Sequence, residues 1–139
     1  MKFFMRYLIA FSCLWSGGSL ATVETQWDGD FTIKEFGEQL NDGSQVYLRY
    51  NLNIDSKKNY ASLSMITWHA ILICTGDYSL KIKPDILELY HSDSENSDCP
   101  YPSPQFEITR KGKNYYIKGS VFSYSPSGKW LPLQKVIQK

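Results

Sequence analysis

The segment QVYLRYNLNI limits most strongly what this chain can fold into. Val46, Leu48, Tyr50, Leu52 and Ile54 alternate without a break with Gln45, Tyr47, Arg49, Asn51 and Asn53. A period of two puts the first set on one face of an extended strand and the polar set on the other. A helix, with 3.6 residues per turn, would scatter both sets around its surface. The segment is therefore a half-buried strand with one wet face.

The rest of the chain repeats this signal in shorter pieces. WDGDFTIKEF places Phe31 and Ile33 on one face, and NDG at 41–43 marks a turn. SKKN at 56–59 turns the chain into YASLSMITW, and HAILIC follows closely, with Ile71 and Ile73 expected to point inward. Thr75, Gly76 and Asp77 read as a tight turn before YSLKIK, where Tyr78, Leu80 and Ile82 share a face. Pro84 breaks that run and DILELYH resumes it. QFEITR and NYYIKGSVFSY are joined by KGK, where Gly112 suits a positive φ. KWLPLQKVIQ is a last short strand or a segment laid over a barrel end.

The sum is about eight short strands separated by turn signals, with no helical window. The expected class is all-β, a small antiparallel meander β-barrel of about eight strands, because short consecutive connections favour pairing between neighbours. Closure also removes exposed strand edges. The inward positions Leu48, Leu52, Leu63, Met65, Ile71, Ile73 and Leu80 are bulky and predict a filled interior.

The N-terminus indicates the compartment. Lys2 and Arg6 precede an apolar run over residues 7–15, and SGGSLA then places Ser19 and Ala21 in the small-residue pattern of a signal-peptidase site. The expected organisation is a signal peptide over 1–21 and a single β-barrel domain over 22–139, located in the periplasm or secreted. The apolar run is shorter than the roughly 20 residues needed to span a bilayer, and no second hydrophobic segment follows it. A lipoprotein reading through Cys13 is disfavoured by Phe11 directly before Ser12.

Removal of residues 1–21 leaves Cys74 and Cys99, which in an oxidising compartment are expected to form a disulfide. That pairing leaves no thiolate for nucleophilic chemistry, and Asp93, Glu95 and Asp98 would raise a thiol pKa rather than depress it. His69, Cys74, His91 and Cys99 are too scattered for a zinc site. The run DSENSD offers hard oxygens to calcium but lacks the order of a calcium-binding loop, so a solvated loop is expected and no metal.

Composition excludes further classes. The net charge of +1 comes without a basic block, so nothing suggests a nucleic-acid partner. No nucleophile elbow, metal triad or phosphate-cradling loop is present, His69 reads as a strand-end residue and His91 as a solvated one. Asp28 and Asp30 are explained by turn chemistry. No catalytic residues and no cofactor are assigned.

Two resemblances are carried by short motifs. Trp27, Gly29 and Phe31 in W-x-G-x-F, followed by Tyr50, Leu52 and Ile54 and then by I-x-C-x-G-D, resemble small exported bacterial barrels of the lipocalin-like, or calycin-like, type. That resemblance implies a tryptophan closing one end of the barrel. A second resemblance is to the periplasmic C-type lysozyme inhibitors, in which a serine-glycine loop enters the lysozyme cleft and a lysine on a neighbouring strand assists. Ser127 and Gly128 in SPSGKW would stand for the loop, and Lys118 and Gly119 in YYIKGSVF for the strand. Here the lysine-glycine pair comes first, the reverse of the family order.

The leading expectation is a non-catalytic protein-binding module, an inhibitor or immunity protein acting on an envelope hydrolase or toxin of lysozyme-like kind. The residues nominated for partner contact are Tyr101, Ser127, Lys129 and Trp130, with Asp93 and Glu95 assisting the encounter with a cationic partner. The alternatives are a small-ligand carrier and a structural envelope protein.

Overall fold

The computed structural model describes residues 26–92, 99–126 and 128–137. The signal-peptide reading, Cys13, Asp93, Glu95 and Ser127 lie outside them. Eight strands follow in chain order: β1 (Gly29–Gln39), β2 (Gln45–Asp55), β3 (Tyr60–Trp68), β4 (Gly76–Ile82), β5 (Ile86–His91), β6 (Phe106–Lys111), β7 (Asn114–Lys118) and β8 (Leu131–Lys135). Each pairs antiparallel with its neighbours, and β8 returns to β1 through Phe31 opposite Lys135, closing the barrel. The alternating segment is β2, whose Val46, Leu48, Tyr50, Leu52 and Ile54 are all buried.

The two ends differ. At one, the strands are joined by the short connections 56–59, 83–85 and 112–113. Asn59 and Gly112 adopt left-handed backbone there, with φ of 51° and 62°. Trp27 closes this end, fully buried and edge-on to Tyr115 at 6.5 Å between ring centroids. Asp28 ties the closure to the neighbouring turn by accepting from the Ser56 amide at 2.7 Å, and Asp30 pairs across the strands with Asn53 at 2.7 Å.

The opposite end carries the long connections 69–75, 92–105 and 119–130. The Cys74–Cys99 disulfide joins the first two. The third folds inward, burying Val121 and Phe122, with Phe122 edge-on to Tyr50 at 5.1 Å and to Phe106 at 5.5 Å. With Phe31, Leu52, Tyr78, Leu87, Leu89, Ile108 and Ile117 buried between the two closures, side chains fill the barrel axis. Each such side chain contributes about 1.5–3 kcal/mol by leaving water.

Two expectations are corrected. HAILIC is not a strand: β3 ends at Trp68, His69 takes a left-handed φ of 59°, and Ile71 is turned outward. Apolar composition alone does not distinguish this loop from a buried strand. His91 is not solvated. It ends β5 buried, edge-on to Tyr78 at 5.0 Å, with Nε2 2.9 Å from the Thr75 carbonyl oxygen.

Candidate functional site

Charged and aromatic side chains gather at the long-loop end, beside the junction of β6, β7 and the 119–130 connection. The register sets Lys81, Glu88, Glu107 and Lys118 in one row across β4, β5, β6 and β7. Lys118 Nζ lies 3.1 Å from Glu107 Oε2 and 4.7 Å from the ring centre of Trp130. A half-exposed ion pair adds little stability. Its consequence is geometric, because the ammonium is held above the indole face, where the ring quadrupole attracts it.

Beside this pair runs an open groove of about 260 Å³, lined by Pro104, Glu107, Lys118, Gly119, Ser120 and Gly128 among others. Its shape depends on Gly119. A Cβ there would stand 2.3 Å from the Gln105 carbonyl oxygen and 2.9 Å from the Phe106 ring. Only glycine lets the chain leaving β7 pass so close to the 105–106 backbone.

The wall formed by 99–105 is held from below. Gln105 is buried; its Oε1 accepts from the His91 amide at 2.8 Å, and its Nε2 donates to the Tyr101 carbonyl and to Ser103 Oγ, both at 3.2 Å. Its own amide donates to Leu89 O at 3.0 Å. One glutamine thus fixes a loop whose Ser103–Pro104 peptide is cis. Sequence reasoning missed Gln105, since an isolated glutamine before a strand carries no visible signal.

A second missed residue is Glu35. It follows Phe31 and Ile33 on the inward phase of β1 and is buried with them. Its Oε1 accepts from Tyr50 OH at 2.7 Å, and its Oε2 from Ser125 Oγ at 2.9 Å and from the Tyr124 amide at 3.2 Å. Burial first, and then the Glu35 hydrogen bond, push the Tyr50 phenol far above its ordinary value. The carboxylate anchors the connection that also carries Gly128 and Trp130. Continued alternation in FTIKE was the available signal.

The nominated residues separate on inspection. Trp130 is half-buried against Lys118, and Gly128 shares the groove with Lys118 and Gly119. Gly128 of the one motif and Lys118 and Gly119 of the other therefore line the same groove. Lys129 is exposed next to them, its amide donating to Pro126 O at 3.1 Å. Tyr101 is half-buried and packed on the core. Both described cysteines are joined, so neither offers a thiolate, and among the described residues no group of three His, Cys, Asp or Glu could hold a metal ion.

Compared with protein-family models, curated proteins and solved structures, the chain matches none of them.

Proposed function

We propose that this protein is an exported, non-catalytic protein-binding module, an inhibitor or immunity factor directed at an envelope hydrolase or toxin of lysozyme-like kind. The groove beside Lys118 is its contact surface. The observation that carries this reading is the meeting of Lys118, Gly119 and Gly128 at one groove, with Trp130 against Lys118 beside it, although Gly128 lies apart from the other two in the chain. That convergence also favours the resemblance to the periplasmic C-type lysozyme inhibitors within the broader lipocalin-like type.

The chemistry suits recognition. Lys118 and Glu107 neutralise one another, offering a partner a fixed cation, a carboxylate and an indole edge. The wall is braced by Gln105 and the disulfide, so little order has to be imposed on binding. A carrier would need interior space, whereas here both ends of the barrel are closed by aromatic side chains.

The test is titration of the oxidised chain, lacking residues 1–21, against a panel of lysozymes and peptidoglycan hydrolases, read by calorimetry and residual activity. One enzyme should bind stoichiometrically and lose activity. Lys118→Ala and Trp130→Ala should each weaken binding by about tenfold or more, with the thermal midpoint little changed. Absence of any complex, or a complex indifferent to both substitutions, overturns the reading.

A further inference from the structure

The barrel is closed, yet β3, like β1 on its β8 side, is paired on both sides along only part of its length. β3 pairs with β2 along its whole length, from Asp55 opposite Tyr60 to Tyr47 opposite Trp68. Its pairing with β4 stops at Leu63 opposite Gly76. Beyond that point residues 64–68 meet no strand, and among the described residues no backbone hydrogen bond reaches their free side. Backbone groups without a protein partner must face water, because burying them unpaired is costly. The 69–75 connection meets this edge through the Thr67 hydroxyl, which donates to the Ala70 carbonyl at 3.0 Å, and not through the strand backbone; Ala70 and Ile73 pack on the core, whereas Ile71 is 82% and Leu72 52% exposed.

The edge lacks the usual protection against pairing. Natural edges carry lysine, proline, bulges or inward charges. Residues 64–68 read SMITW, without a charge, a proline or a glycine, and the β2–β3 register runs through them unbroken. On the outer face Ile66 is 49% and Trp68 53% exposed; Trp68 stands in one row with Tyr47 and the exposed Phe36, and Ile66 in a row with Arg49 and Lys34 on the strands behind the edge.

We propose that residues 64–68 pair antiparallel with the same residues of a second copy of this chain, joining two β1–β2–β3 sheets across a twofold axis near Ile66. A twofold contact sets every side chain against the same patch of its copy, so a charged edge would repel itself. This edge is neutral and meets its copy without that cost. Ile66, Trp68, Ile71 and Leu72 together expose on the order of 500 Å², more than half of the roughly 800 Å² each partner contributes to a standard stable interface. Flanking residues and the strand backbone supply the remainder.

The arrangement has a functional consequence. β7, which carries Lys118, lies four strands from β3 in either direction around the barrel. The two grooves of the dimer therefore face away from each other and remain open, making the assembly bivalent. The dimer does not depend on what the groove binds.

The experiment is sedimentation equilibrium of the oxidised chain lacking residues 1–21, from micromolar to millimolar, beside Ile66→Lys and Ile137→Lys. The wild-type chain and Ile137→Lys should move from monomer to dimer, and Ile66→Lys should dimerise at least about tenfold more weakly. Hydrogen exchange supplies a readout that needs no variant: amides on the free side of 64–68 should gain protection as concentration rises. A wild-type monomer at all concentrations, a dimer unaffected by Ile66→Lys, or edge amides whose exchange ignores concentration overturns the proposal. Protection that appears only with a bound enzyme would assign the edge to that partner instead.

Discussion

Tyr50 on β2 donates its phenol hydrogen to Glu35 on β1 at 2.7 Å inside the barrel, 15 positions apart in the chain. The same carboxylate receives Tyr124 and Ser125 from the last long connection, so a single buried acid fastens the loop that plugs the barrel mouth.

Glu35→Ala removes the acceptor and leaves a buried phenol and a backbone amide without partners. The expected cost is about 2–4 kcal/mol in denaturant unfolding. Amides near Tyr124 should lose exchange protection well before those of β2. Unchanged loop protection would mean that Phe122 and Val121 hold the loop without the acid.

Breaking the disulfide frees two connections at once. Cys74→Ser with Cys99→Ser should cost on the order of 3.5 kcal/mol for a loop of 25 residues. A matching fall in thermal midpoint is expected for the wild-type chain in strong reductant, and none for the double variant.

Gly119→Ala forces a methyl group into the Gln105 carbonyl oxygen. The backbone must shift, and overpacking of this kind costs about 1–3 kcal/mol. Because the shift moves the groove wall, partner binding should fall more than the stability loss alone requires. Calorimetry at a temperature where the variant remains folded checks this.

Acid sensitivity should trace in part to Glu88. Lys83 first, and then the Tyr90 hydroxyl at 2.5 Å, hold its carboxyl below the ordinary glutamate value of 4.5. A group whose folded pKa is depressed stabilises the fold above its unfolded pKa, and that stability is lost as pH falls through the folded pKa. Glu88→Gln should therefore flatten the stability profile below about pH 4.5 relative to wild type. Lys83 behaves in the opposite sense: its pKa is raised by the same contact, so its contribution fades above the ordinary lysine value of 10.5. Equal acid limbs in the two proteins would remove Glu88 from the account.

Much of the strand framework was legible because alternation is a local property. β2 could be read residue by residue, and the turns at 41–43 and at Gly112 carried their own signals. HAILIC was misread because a short apolar run is equally compatible with a buried strand and with a loop that leaves Ile71 in water. His91 was misread because its acidic neighbours suggest solvent, whereas its ring is covered by Tyr78 and its Nε2 meets Thr75, 16 residues away.

The sequence by itself determined where most of the strands run, which face of β2 turns inward, and which two cysteines can meet, since each depends on neighbours in the chain or on simple counting. Tertiary structure alone decided that Lys118 stands over Trp130, that Glu35 fastens the barrel mouth and that residues 64–68 of β3 meet no strand on the β4 side. Those facts depend on the register of strands far apart in sequence and on where β4 begins relative to β3. No local pattern encodes such distances, because they are set only when the sheet closes on itself.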